Sequence, residues 1–253
     1  MTSIKEITTA LKEASTYEVW MEDIRLDERL GVQKAWASFE KRMQKQQAMI
    51  EEHMKKVAFD KEHVQQGTYV AGVDEAGRGP LAGPVVTAAA ILPLDCEALM
   101  GINDSKQLSK EKRAAYAELI KQHAISYSVH FQSVEEIDRL NIYEATKESM
   151  KIAVEQLAIQ PDVVLADAMT LNITHAQYNI IKGDALSLSI AAASILAKTA
   201  RDAYMDDLHE QYPQYGFNKH AGYGTKEHVE VLQQYGVTPH HRRSFEPIKS
   251  MVK

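Results

Sequence analysis

Two adjacent carboxylates, Asp74 and Glu75, close an apolar run and lead directly into a glycine-rich turn, Gly77-Arg-Gly-Pro-Leu-Ala-Gly83. Asp167 and Asp184 stand at or just past the ends of two further apolar runs, residues 161–167 and 178–182. Carboxylates gathered in one place repel unless something positive lies between them, and hard divalent cations such as Mg²⁺ bind a few carboxylates together with substrate phosphate oxygens. Two such ions about 4 Å apart can activate a water and stabilise the leaving oxygen of a phosphodiester. Glycines let backbone N–H groups approach an anionic backbone closely, and Arg78 adds charge there.

Each aspartate also has a plainer reading as a turn former or helix cap, and Asp184 could cap the helix that follows it. The case for a metal site therefore rests on co-occurrence. Glu75 poses a geometric problem, because neighbours on a strand point to opposite faces. It shares a site with Asp74 only if the chain bends, which Ala76-Gly77 permits. The glycine turn resembles a dinucleotide fingerprint only superficially, since Pro84 and a β-rich run follow where a helix is required. Asp202, beside Arg201, reads as a structural residue paired with an arginine. His220, His240 and His241 read as surface or substrate-side groups, because Mg²⁺ prefers oxygen ligands. No Ser, Cys or His constellation supports nucleophilic catalysis.

The elements that must present these groups alternate. Residues 69–74, 85–92, 125–131, 161–167 and 178–182 carry strand patterns, and residues 109–123, 186–212 and 225–235 carry helical ones. Ser133 to Glu136 fits a capping box, and Asn141 with Glu144 marks the start of another helix, running to about residue 159. The order implies an α/β domain with a mixed sheet flanked by helices. In open α/β sheets ligands bind outside the strand ends, where Asp74, Asp167 and Asp184 fall.

The first part of the chain differs. All seven prolines lie at position 80 or later, and both tryptophans, Trp20 and Trp36, lie before it. Ile4, Ile7 and Leu11, then Trp36, Phe39 and Met43, recur at helical spacing. Residues 41–56 read as a solvated helix face. This gives a small helical appendage over residues 1–67, a substrate clamp or a stabilising arm, ahead of a catalytic domain over residues 68–253.

The net charge of −6 over 253 residues means that a nucleic-acid partner needs a local basic patch or bridging cations. Cys96 is the only cysteine, which excludes an intramolecular disulfide and favours a reducing compartment. The N-terminus lacks the apolar core of a signal peptide, and the apolar run 186–197 is too short to span a bilayer. The expectation is a cytoplasmic protein, monomeric and not membrane-bound.

The residues that matter most resemble ribonuclease HII. The resemblance runs in order through Gly72-Val-Asp-Glu-Ala-Gly-Arg-Gly-Pro-Leu-Ala-Gly-Pro-Val85, Asp104-Ser-Lys106, Asn141-Ile-Tyr143, Val164-Leu-Ala-Asp167, Lys182-Gly-Asp184, Ala192-Ala-Ala-Ser-Ile-Leu-Ala-Lys198, Arg201-Asp202, Gly222-Tyr-Gly-Thr-Lys-Glu-His228 and His241-Arg-Arg-Ser-Phe-Glu-Pro247. It implies a ribonuclease H-like fold and cleavage of RNA in RNA/DNA hybrids. It also implies incision 5′ of single ribonucleotides in duplex DNA, dependent on two Mg²⁺ or Mn²⁺ ions. Asp74, Glu75, Asp167 and Asp184 would be the catalytic metal ligands. Gly77, Arg78 and Gly79 would read the 2′-hydroxyl, and Tyr223 would stack on the adjoining deoxyribose. Ser105, Lys106, Asn141, Lys182 and Lys198 would contact phosphates. The GRG turn and Tyr223 favour this type over ribonuclease HIII. Ala166, beside Asp167, is the one visible departure. A non-catalytic hybrid-binding module and another nuclease on the same fold are the rival readings, and a contact with a replication clamp is left open.

Overall fold

The computed structural model describes residues 3–64, 68–102, 105 and 108–252. Contacts group the chain into two compact units, Met1–Met54 and Lys55–Lys253. In the first lie α1 (Ile4–Glu13), α2 (Met21–Arg25) and most of α3 (Leu30–Glu62), whose last turns belong to the second unit. Ser3 opens α1 with a complete capping box to Glu6. Ile7, Leu11, Met21, Val32, Phe39 and Met43 form a core of their own, although Ile4 of the expected stripe stays 41% exposed.

The second unit is built on one sheet. Its strands are β1 (Val70–Ala76), β2 (Val85–Ile91), β3 (Ser126–Gln132), β4 (Val163–Asp167) and β5 (Ala176–Ile180). Among the described residues they form a five-stranded sheet in the order β3-β2-β1-β4-β5. The β1–β2 and β2–β3 pairs are antiparallel, and β1–β4 and β4–β5 are parallel. The expected mixed sheet is therefore present, with β5 two residues earlier than the apolar pattern suggests.

Its helices are α4 (Lys110–His123), α5 (Val134–Leu140), α6 (Ile142–Glu155), α7 (Gly183–Leu186), α8 (Leu188–Gln211), α9 (Phe217–His220), α10 (Lys226–Tyr235) and α11 (Ile248–Met251). They cover both faces of the sheet, which is why β2 is buried throughout, Thr87 included, rather than alternating. Ala88 and Ala90 pack with α4 and α8 on one face, whereas Ala89 and Ile91 pack with α6 on the other. Small residues let α8 lie directly on β1: a Cβ at Gly72 would stand 2.1 Å from the Ser189 carbonyl carbon. No helix among the described residues is long and apolar enough to cross a membrane.

Two helix starts differ from expectation. Only half of the Ser133 box forms, because the Glu136 side chain turns to Arg139. The long helix expected from residue 186 is interrupted at Ser187, whose hydroxyl caps α8 by accepting from Ile190 N–H. Asp184 is thus not the cap; it lies inside the short α7.

Candidate active site

The β1–β4 ladder ends at Val73–Ala166. Asp74 and Asp167 are the next residues on the two strands, side by side where the sheet opens. Parallel neighbours are about 4.8 Å apart, so the two carboxylates interact strongly. Asp74 is 5% exposed, and burial first, then the charges of Glu75 and Asp167, holds its carboxyl well above the usual range. The Ser194 hydroxyl and the Glu75 N–H, at 2.7 Å, oppose that shift by bonding the Asp74 carboxylate.

Asp184 reaches the same place by another route. Lys182 adopts a left-handed conformation (φ 57°), and the chain turns into α7. Gly183 N–H then donates to Asp167 Oδ1 at 2.7 Å, fastening the turn to β4. Asp74, Glu75, Asp167 and Asp184 line one cavity of about 460 Å³, together with Gly77, Arg78, Gly79, Ser105, Lys198 and Tyr223. Glu75 joins Asp74 without a bend between them, since β1 keeps its pairing with β2 through Ala76 and the turn comes at Gly77 (φ +92°).

The substrate-side expectations divide. Arg78 Nη1 stands 3.5 Å from Glu75 Oε1, and Tyr223 is 48% exposed. Lys198 Nζ is 2.5 Å from Asp202 Oδ1, and Arg113 Nη2 bonds the other oxygen of Asp202 at 3.1 Å. Asp202 therefore has the arginine partner expected of it. The Ser105 hydroxyl bonds Ser194 at 3.0 Å in the cavity wall. Asn141 and Lys182 are not among the lining residues. Asn141 instead caps α6, its Oδ1 accepting from Tyr143 and Glu144 N–H groups. Lys106 lies outside the described residues.

Several contributors gave no local signal. Arg113, which also lines the cavity, donates to the carbonyls of Ser105 and Leu108. Arg201 and Arg242 lie buried beneath the glycine turn, 1% and 0% exposed, where burial lowers them to about 10 and about 9. Lys56, expected on a solvated face, is 1% exposed and donates to the carbonyls of Asp184 and Ile102. His241 is likewise buried rather than on the surface. Arg201 and Arg242 were findable only as charges inside motif runs.

The donor set suits a hard divalent cation: oxygen ligands only, with a buried carboxyl repelled by two others. Among the described residues no three acidic, histidine or cysteine side chains are already spaced as a closed ligand shell. Water and substrate oxygens would complete it, as is usual for Mg²⁺.

Solved structures share this fold. The ribonuclease H2 from Pyrococcus horikoshii superposes with a TM-score of 0.64 at 30% identity, over 72% of this chain and 96% of that one. RNase HII from Archaeoglobus fulgidus, solved in a complex with PCNA, gives 0.60 at 26% identity over 70% and 95%. Bst-RNase HIII in complex with Mn²⁺ gives 0.57 at 20% identity, over 75% of this chain and 71% of that one, a likeness of fold alone. The protein is thus a nuclease-type α/β fold of the ribonuclease H class.

The family follows from sequence. Residues 71–248 match the model of Ribonuclease HII, and residues 3–63 that of the Ribonuclease HII N-terminal domain. Ribonuclease HII of Halalkalibacterium halodurans is 49% identical over 98% of this chain and 95% of that protein. That of Enterococcus faecalis is 48% identical over 98% and 99%. The chain belongs to the ribonuclease HII family. It is a ribonuclease H hydrolase, acting on the RNA strand of RNA/DNA hybrids.

Proposed function

We propose that this enzyme also incises 5′ of single ribonucleotides embedded in duplex DNA, leaving 3′-hydroxyl and 5′-phosphate ends, in the service of ribonucleotide removal during replication and repair. Asp74, Glu75, Asp167 and Asp184 are the metal ligands in this reading, for Mg²⁺ or Mn²⁺. When bound, two such ions supply an activated water and charge stabilisation at the leaving oxygen.

The residues of the chain do the rest. The buried Asp74 is oriented by Ser194 and by the Glu75 N–H. Gly79 leaves the turn open: the nearest atom to a Cβ placed there is Tyr223 Cε1, at 3.5 Å. A ribose could approach the turn at that point, with its 2′-hydroxyl against backbone groups, the feature that separates RNA from DNA. Tyr223 offers a flat apolar face to the neighbouring deoxyribose. Arg78, Lys198 and Ser105 face the strand, whereas Lys106, Asn141 and Lys182 stay in the proposal on sequence grounds alone. Arg78 together with two bound metal ions would offset the substrate's charge locally, which is how an acidic protein could hold a polyanion.

The observation that carries the reading is the meeting of the four carboxylates with Gly77-Arg78-Gly79 and Tyr223 in one cavity. A cleavage assay on RNA/DNA, a duplex with one ribonucleotide, DNA/DNA and RNA/RNA tests it. Cutting of the first two is expected; no incision of the second would refute it.

A further inference from the structure

The glycine turn and the Tyr223 loop belong to different parts of the chain, yet both are tied to one C-terminal segment, residues 238–242. Arg242 is fully buried and has no carboxylate ion pair among the described residues. Its guanidinium donates to the carbonyls of Gly77 (2.6 Å), Arg78 (2.8 Å) and Gly83 (3.0 and 2.8 Å). A buried charge without an ion-paired anion is expensive, and here these carbonyl dipoles offset it, helped by the Phe245 ring 5.1 Å away and by the charge of Asp138. A planar fork spreads its donors over three nitrogens and so spans three separate carbonyls, whereas a lysine's three donors all sit on one nitrogen.

Beside it, His241 reaches the other loop. His228 Nδ1 lies 2.9 Å from the Tyr223 carbonyl, which only accepts, so Nδ1 carries the proton. Neutral His228 then accepts at Nε2, and His241 Nε2–H, 3.1 Å away, donates to it. That leaves His241 Nδ1 as acceptor for Thr238 N–H at 3.0 Å. One tautomer assignment satisfies the whole relay from Thr238 to Tyr223.

Backbone bonds tie the layers together. Gly83 N–H donates to the His240 carbonyl at 2.9 Å, Arg242 N–H to Leu81 at 2.8 Å, and Leu81 N–H to Gly222 at 2.8 Å. The Tyr223 loop lies hard against the turn: a Cβ at Gly222 would stand 2.6 Å from the Ala82 carbonyl oxygen.

We propose that His241 and Arg242 are positioning residues that hold the Gly77-Arg78-Gly79 turn and Tyr223 in register, making this segment a specificity determinant for single embedded ribonucleotides. The proposal rests on the reading of turn and tyrosine given above. A continuous hybrid offers ribonucleotides in many registers, so it tolerates a loosened reader. A single ribonucleotide offers one.

The test uses full-length protein carrying R242K, H241Q or, separately, Y223A, with kcat and KM measured in Mg²⁺ on a uniform hybrid and on a duplex with one ribonucleotide. For R242K and H241Q, kcat/KM on the single ribonucleotide should fall about 10- to 100-fold, mostly in kcat, as misplacement by about 1 Å produces, while hybrid cleavage stays within about 3-fold. Thermal melting identifies any variant that fails to fold; if R242K does, H241Q decides. Equal losses on both substrates, or none on either, overturn the proposal. If Y223A leaves the preference between substrates unchanged, the reading of Tyr223 itself fails and this inference with it. If Y223A shifts the preference and the other two do not, this inference alone fails.

Discussion

Asp74 and Asp167 stand side by side, each one residue past Val73 and Ala166, the last residues that β1 and β4 pair with each other. The two acids meet where the β1–β4 ladder stops, while β2 and β5 still pair the two strands from outside. Charge repulsion there is built into the fold, and a bound cation would relieve it.

Mg²⁺ should therefore stabilise the protein. At tenfold excess over its Kd a single bound ion contributes about 1.4 kcal/mol, equivalent to roughly 3–5 °C in Tm for a chain of this size. D74N, which removes a repelling charge, should melt at or above the wild type in EDTA and gain little from Mg²⁺. A Tm unaffected by Mg²⁺ up to high millimolar concentration would argue against the ligand assignment.

Glycines 72 and 79 should separate folding from recognition. A Cβ at Gly72 meets the backbone of α8, which cannot move aside, so G72A should lose about 3 kcal/mol in urea unfolding. G79A should unfold within about 0.5 kcal/mol of wild type, because only ordinary contact awaits its methyl. It should nevertheless cut the single-ribonucleotide duplex at least about 10-fold more slowly, a loss of roughly 1.4 kcal/mol. Wild-type incision by G79A would remove the turn from substrate recognition.

The buried histidine pair makes stability depend on pH. Burial lowers His228 and His241 to about 4. The unfolded chain, with ordinary histidines near 6.5, binds protons that the folded chain refuses. Their contribution is complete above about pH 6.5 and lost as pH falls towards 4. Asp74, shifted upward, acts in the opposite sense, so the comparison is with H228Q. Tm should fall between pH 7 and 5 more steeply in wild type than in H228Q; parallel profiles would contradict the assignment.

Asp60 should matter although it lies outside the cavity. Its Oδ1 accepts from the Ser187 hydroxyl and its Oδ2 from Ser189 N–H at 2.9 Å, pinning the break between α7 and α8. D60A should cost about 2 kcal/mol through those two buried bonds, or roughly 4–8 °C in thermal melting. An unchanged Tm would show that the end of α3 does not brace this turn.

The strand-end carboxylates were legible because an apolar run ending in an acid is a local pattern, and the mixed sheet followed from the same runs. The roles of Lys56 and Arg242 were not. Lys56 bonds a carbonyl 128 residues away, and nothing in the charged stretch around it marks it as the buried member. Arg242 sits in a run of basic residues that reads as surface; the carbonyls of Gly77, Arg78 and Gly83, distant in sequence, account for its burial. Asp184 and Ser187 show a finer limit. Both are good caps, and cap preference alone does not choose between them; Ser187 is the one that opens α8, two residues before the backbone that lies on Gly72.

The most direct test of the account is incision of a duplex bearing one ribonucleotide, by wild type and D74N in Mg²⁺, with the product ends mapped. Wild type should nick on the 5′ side of the ribonucleotide and leave a 3′-hydroxyl, and D74N should be slower by about 1,000-fold, roughly 4 kcal/mol of transition-state stabilisation. D74N cutting at the wild-type rate would contradict it.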